Sequence, residues 1–240
     1  MIRKNRLTKL LNLHLNPHSW HSYSTRGKLN PYLYLSFTLA VLQLSCSPAL
    51  INLDIAKDEV AKYYESEQYE KEMNEIIIEA KEKFSNIEVH PNSAVVFDVD
   101  ETVLDNYEAI KQIGFGYESK YWDEWIEKAS APANPQVKDL YDFLVKKGFK
   151  IIFITGKKDY QYNATFKNLN AAGYIDFDTL IVRGKKDYKT KSALFKSLKR
   201  KEMTEKGYIV VGCVGDQFTD CQGENCGIVV KLPNYLYLVE

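Results

Sequence analysis

Asp98 and Asp100 stand one residue apart at the end of an apolar, β-branched run, Val95-Val96-Phe97. In an extended strand such a pair shares one face, because side chains repeat every two residues. By itself a D-x-D is as readily a loop with two solvated carboxylates, so its meaning rests on what else reaches the same place. Other polar groups follow apolar runs in the same way: Thr155 after Lys150–Ile154, and Asp216 with Asp220 after Tyr208–Gly212. Paired carboxylates suit phosphate-ester chemistry. One can attack phosphorus, and the other, protonated, can give its proton to the leaving alkoxide and later activate water. Charge on the phosphoryl oxygens has to be met by a metal ion, a lysine and hydroxyl or amide donors. Crowded acids repel without a cation, and Mg²⁺, being hard and octahedral, suits them.

Histidine usage narrows the alternatives. His14, His18 and His21 lie in the first stretch of the chain, leaving His90 as the one histidine of the body. That excludes a phosphatase built on paired histidines and multi-histidine zinc or di-iron sites. A Ser-His-Asp triad would have to use His90, and no G-x-S-x-G elbow exists. Net charge excludes another class. Lys+Arg and Asp+Glu are balanced at 32 each over 240 residues, but residues 1–45 carry six bases (Arg3, Lys4, Arg6, Lys9, Arg26 and Lys28) and no acid. The remainder therefore holds 26 bases against 32 acids, and a net-acidic body argues against a nucleic-acid partner.

The basic start leads into an apolar segment, Pro31–Leu44, too short for a transmembrane helix but suited to an export signal. It ends in Leu42-Gln43-Leu44-Ser45-Cys46-Ser47, which resembles a bacterial lipobox with Gln43 where leucine is usual. The expectation is an exported protein of the cell envelope, attached to the membrane through a lipidated Cys46. A plain signal peptide, an uncleaved anchor or a start further along the chain are the alternatives. Cys221 and Cys226 are close enough in sequence to pair in an oxidising compartment, and buried free thiols fit equally.

The rest of the chain must place the carboxylates. Ile55–Phe84 is charged with helical apolar spacing, which predicts one or two helices capped by Asn52 or Asp54. Ser93–Phe97 is continuously apolar, as a buried parallel strand is. Three strand–helix alternations follow. Pro135–Lys147, Tyr160–Ala172 and Lys191–Lys206 are the predicted helices; Lys150–Ile154, Thr179–Val182 and Tyr208–Gly212 are the predicted strands, with Ile228–Leu232 last. Regular alternation means a parallel α/β sheet with helices on both faces. Between the aspartates and the first of these helices lies an insertion rich in rings (Phe115, Tyr117, Tyr121, Trp122 and Trp125), which would sit above the carboxyl edge of the sheet. Its rings either line a substrate entrance or simply bury the insertion. The expected organisation is a leader over 1–46, a helical segment over 47–92, and an α/β domain over 93–240 with a small helical cap near 106–133.

Together these marks resemble the haloacid-dehalogenase superfamily: D-x-D-x-T after the first strand, Ser/Thr after the second, a lysine, and an acidic pair after the fourth. Asp98-Val99-Asp100-Glu101-Thr102-Val103-Leu104-Asp105-Asn106 and Gly215-Asp216-Gln217-Phe218-Thr219-Asp220 are similar to the acid phosphatase branch, which includes plant acid phosphatases, vegetative storage proteins and bacterial acid phosphatase lipoproteins. Lys231-Leu232-Pro233-Asn234 extends the likeness toward the C-terminus. The resemblance implies a Rossmann-like sheet and Mg²⁺-dependent hydrolysis of small phosphate monoesters through an aspartyl-phosphate. It implies Asp98 as nucleophile and metal ligand. Asp100 would be the general acid/base, with its carbonyl on the metal. Thr155 and Gly156 would hold a phosphate oxygen, Asp216 would be a metal ligand, and Asp220 would support the metal. Phe195-Lys196-Ser197-Leu198-Lys199-Arg200 resembles the family's Y-K-S-x-x-R and selects Lys196 as the phosphate-binding lysine, with Lys191 as the fallback. Two other readings remain open. One is a surface lipoprotein with a binding role on the same scaffold. The other is phosphotransfer to a hydroxyl other than water. The sequence is silent on oligomeric state.

Overall fold

The structure, a computed structural model, describes residues 50–239. The leader and Cys46 lie outside the described residues. Two helices come first, α1 (Leu53–Glu65) and α2 (Glu67–Ser85). Asn52 caps α1 by accepting from the Asp54 amide at 2.9 Å, and Ser66 interrupts the run by capping α2 in the same way. An Asx or Ser side chain here satisfies an amide that the helix leaves without a partner. Residues Met73, Ile77, Ala80 and Phe84 of α2 are buried at helical spacing, so this helix covers one face of the sheet.

The sheet consists of β1 (Ser93–Phe97), β2 (Lys150–Lys158), β3 (Thr179–Arg183), β4 (Ile209–Gly215) and β5 (Ile228–Lys231) in the order β3-β2-β1-β4-β5, every pairing parallel. Strand β1 is buried at every position, because both faces are covered. Val95 and Phe97 join Ile151 and Phe153 under α2 and α5 (Pro135–Lys147). Ala94 and Val96 join Ile152, Ile154, Phe195 and Met203 under α7 (Ser192–Glu205). Phe84 closes over Gly212, where an added Cβ would lie 2.6 Å from the ring's Cε1. A side chain at 212 would therefore lift α2 off the sheet.

Between β1 and β2 the chain makes α3 (Tyr107–Gln112), α4 (Ser119–Lys128) and α5; between β2 and β3 it makes α6 (Tyr162–Ala171). Helix α5 begins with Asn134 as cap and Pro135 in its first turn, and stops at Gly148 with φ of 92°, the left-handed conformation that glycine adopts without strain. The expected strand ends differ by one residue at β3, which reaches Arg183, and at β5, which stops at Lys231, and by more in two other strands. Strand β2 continues past Ile154 to Lys158, because a register shift lets Lys158 pair with Arg183. Strand β4 continues past Gly212 to Gly215, paired with Lys231. The helix expected from Tyr160 starts at Tyr162 after a single 3₁₀ turn. Cys213, Cys221 and Cys226 are free thiols. Among the described residues no helix is long and apolar enough to cross a membrane.

The strand order reverses between β1 and β4. In open α/β sheets the crevice outside the carboxyl ends at such a reversal is where ligands bind. Both aspartate-bearing segments end there.

Candidate active site

Asp98 follows directly on β1, and its amide donates to the Val214 carbonyl at 2.9 Å, tying it to the neighbouring strand. The chain then turns sharply through Val99–Leu104. Glu101 adopts φ of 54°, an uncommon conformation for a residue with a side chain, and this turn sends Asp100, Glu101 and Thr102 in different directions. The Thr102 hydroxyl donates to Asp216 Oδ1 at 2.9 Å and accepts from the Asp216 amide at 3.1 Å, locking the β1 turn to the end of β4. Gln217 and Asn234 donate to Asp216 Oδ2 at 2.7 and 2.6 Å.

Lys196 comes up from α7, is buried, and pairs with both Asp98 Oδ1 and Asp220 Oδ1. The lysine chosen from sequence is thus the one that enters the acidic cluster; Lys191 caps α7 from outside, without a side-chain cap bond. Asp98, Asp216 and Asp220 are buried and present oxygens within 4.8 Å of one another. Burial pushes the Asp98 carboxyl well above its ordinary range. Lys196 opposes this, while Asp220, Asp216 and Asp100 add to it. Asp216 is raised by burial and then by Asp220. Burial works against the Lys196 charge, but Asp98 and Asp220 outweigh it and hold the ammonium above its usual range. One lysine does not neutralise three carboxylates, and an all-oxygen cluster of this kind fits a hard divalent cation. In the same pocket wall, the Thr219 hydroxyl is buried with no hydrogen-bond partner. Such an orphan costs about 1–3 kcal/mol, and a ligand is a natural source of the missing bond.

Asp100 faces the other way. Its Oδ1 accepts from Lys157 Nζ at 2.6 Å and from Asn106 Nδ2 at 3.2 Å. Thr155 is fully buried, with its hydroxyl 3.5 Å from Asp100 Oδ2 and accepting from the Lys157 amide at 3.2 Å. Gly156, rather than Thr155, lines the cavity around the carboxylates. Sequence reasoning did not select Lys157. Its signal was the two-residue spacing from Thr155, which puts both side chains on one side once β2 is known to continue. Glu101 carries no sequence signal beyond its place between Asp100 and Thr102. It is buried, and burial, followed by Asp100 and Asp216, raises its carboxyl well above the ordinary range. Asn106 donates to it at 2.7 Å and in turn accepts from Trp125 Nε1 at 2.8 Å.

Two spaces that share Asp100 and Gly156 as walls open here. A cavity of about 100 Å³ is bounded by Asp98, Asp100, Lys196, Asp216 and Asp220. Beside it a chamber of about 510 Å³ is walled by Phe115, Tyr117 and Trp122 of the insertion together with Lys157, Lys158 and Tyr160. The insertion's rings therefore divide in their roles. Phe115, Tyr117 and Trp122 line the chamber, whereas Tyr121 bonds Gln112 and Trp125 holds Asn106.

The small cavity is phosphate-sized, and the chain's relatives agree with that reading. Residues 26–240 match the profile of the HAD superfamily, subfamily IIIB (acid phosphatase). The chain is 37% identical over 185 residues to the stem 28 kDa glycoprotein of Glycine max, covering 75% of this chain and 73% of that one. It is 32% identical over 188 residues to acid phosphatase 1 of Solanum lycopersicum, covering 76% and 74%. Its fold matches the class C acid phosphatase of Bacillus anthracis, solved with tungstate bound, with a TM-score of 0.63 at 24% identity over 78% of this chain and 85% of that one. With that profile spanning most of its length, the chain belongs to the HAD superfamily, subfamily IIIB, the acid phosphatases, which are phosphomonoesterases.

Proposed function

We propose that the protein is an exported, Mg²⁺-dependent acid phosphatase that hydrolyses small phosphate monoesters through an aspartyl-phosphate on Asp98. One observation carries the reading: Asp98, paired with Lys196 and flanked by Asp216 and Asp220, shares a phosphate-sized cavity with Asp100. Asp98 and Asp216, with the Asp100 carbonyl, would hold the metal, and Asp220 would support it. When bound, the ion supplies positive charge to the phosphoryl oxygens.

The chain's own groups divide the remaining work. A carboxylate oxygen of Asp98 attacks phosphorus, and the bond to the leaving oxygen breaks as Asp100 delivers its proton there. Lys196 and the amides around Gly156 meet the charge on the equatorial oxygens. Asp100 then takes a proton from water, whose oxygen attacks phosphorus and releases phosphate and the free Asp98 carboxylate. Lys157 and Asn106 keep Asp100 aimed throughout.

Hydrolysis of a chromogenic aryl phosphate at acidic pH tests this, with and without chelator. The expected result is turnover that chelator abolishes, Mg²⁺ restores and Asp98→Asn removes. Full activity in Asp98→Asn protein contradicts it. Export and anchoring rest on the leader and Cys46. Membrane-fraction protein that becomes soluble on Cys46→Ser substitution supports them, and an unchanged distribution contradicts them.

A further inference from the structure

Ser192 opens α7, four residues before Lys196. Side chains at that spacing share a helix face, and both residues border the phosphate-sized cavity. Ser192 borders that cavity and not the chamber. It therefore faces the group being transferred rather than the group that leaves.

The Ser192 oxygen already accepts a hydrogen bond. Arg183, at the end of β3, donates to it from Nη2 at 2.9 Å. A hydroxyl that accepts keeps its own proton to give, and among the described residues that proton meets no acceptor. Arg183 is itself buried, with Nη1 donating to the Asp187 and Thr190 carbonyls at 2.9 and 2.6 Å. Its guanidinium lies over the Phe195 ring, 4.5 Å from the centroid. Among the described residues all of its hydrogen bonds go to neutral oxygens. A buried cation is ordinarily met by a carboxylate; here the charge stands directly behind a serine hydroxyl. A charged donor on one side of a hydroxyl strengthens what the hydroxyl donates on the other.

Two further observations point to an anion at this place. The Thr219 hydroxyl, in the same cavity wall, is buried without a partner. The first turn of α7 has no side-chain cap, since Lys191 supplies none. Its amides and the positive end of the helix dipole are left for a negative group.

Building on the phosphatase reading above, we propose that Ser192 is a further substrate-binding residue for the reaction: its hydroxyl donates to a non-bridging oxygen of the transferring phosphoryl group, and Arg183 positions and polarises it from behind. Ser192 and Lys196 then hold the phosphoryl group from one face of α7.

The test measures kcat and KM for 4-nitrophenyl phosphate and glycerol phosphate, and competitive inhibition by inorganic phosphate, in excess Mg²⁺. The proteins are the full chain, Ser192→Ala, Ser192→Thr, Arg183→Gln and the double variant Ser192→Ala with Arg183→Gln. Ser192→Ala should lower kcat/KM about tenfold or more, by the same factor for both esters, and weaken phosphate inhibition about tenfold. Ser192→Thr, which keeps a hydroxyl, should recover most of both losses. Arg183→Gln should weaken phosphate inhibition in the parent but by under about twofold in Ser192→Ala protein, because the two residues act as a unit. Unchanged phosphate inhibition in Ser192→Ala overturns the proposal, as does a loss confined to one ester. Equal falls for Arg183→Gln in both backgrounds overturn the part given to Arg183. A parent chain that hydrolyses neither ester overturns the phosphatase reading, and this proposal with it.

Discussion

Lys157 Nζ lies 2.6 Å from Asp100 Oδ1, with both side chains largely buried. This ion pair spans the boundary between the phosphate-sized cavity and the chamber. A charge-assisted hydrogen bond in such a place is worth about 1.5–3 kcal/mol. Lys157→Met should therefore lower kcat/KM about 10- to 100-fold, and Lys157→Arg should recover part of it. Steady-state kinetics on an aryl phosphate checks this, and a loss under about twofold would show that Asp100 is aimed by other groups.

Lys196 separates Asp98 from Asp220, and all three side chains are buried at the wall of the phosphate-sized cavity. Removing one partner of a buried ion pair leaves uncompensated charge, at a cost of about 3–5 kcal/mol. Lys196→Met should be destabilised by that order in chelator and by less with excess Mg²⁺, since the cation takes over part of the neutralisation. Urea unfolding under both conditions is the measurement. Equal stability to the parent in chelator would mean that the lysine is dispensable to the folded cluster.

Stability should depend on pH with a sign set by the same cluster. Asp98, Glu101 and Asp216 are each raised, burial being the largest cause in every case. In metal-free protein they keep protons that the unfolded chain has already released above its ordinary carboxylate range. The folded state then binds more protons, so stability falls as pH rises toward the folded values. Lys196 is charged in both states near neutrality and adds no slope there. Glu65, lowered by its bond to Lys111, acts in the opposite sense but is exposed and screened by solvent. Thermal unfolding in chelator should give a higher midpoint at pH 5 than at pH 7, and excess Mg²⁺, which favours the ionised carboxylates, should reduce that difference. A chelated midpoint that climbs from pH 5 to pH 7 would contradict this.

Gly215 ends β4 with the Asp220 carboxylate folded directly against it, and an added Cβ would overlap that side chain. Gly215→Ala should cost about 1–3 kcal/mol in overpacking and move Asp220 away from Lys196. Its Mg²⁺ requirement should shift to concentrations about tenfold higher. A Mg²⁺ titration of activity reads this directly, and an unshifted titration would place Asp220 outside the metal's influence.

The carboxylates were legible because each stands where a continuous apolar run breaks, and Lys196 because its neighbours Ser197 and Arg200 complete a spaced motif. Asn52 and Ser66 were equally local signals, though the expected caps were Asn52 or Asp54 and not Ser66. Lys157 was not legible: the apolar run stops at Ile154, and only the register shift that pairs Lys158 with Arg183 carries the strand on. The burial of Glu101 was hidden for another reason, since its φ of 54° is a property of the turn rather than of the residue. The C-terminal segment has no periodicity to read. Its place over the site depends on side-chain bonds to Asp216, Gln217 and Glu101, residues far from it in sequence. The insertion's rings could be assigned to cap or to core only by where each one lands.

The Asp98 phosphoenzyme can be observed directly. Protein mixed with an aryl phosphate and Mg²⁺, quenched in acid within the first turnovers and digested, should yield the peptide carrying Asp98 with the added mass of one phosphoryl group. Asp98→Asn protein should yield none. Steady hydrolysis with no phosphoryl group on that peptide, or with the same modification persisting in Asp98→Asn protein, would contradict attack by Asp98.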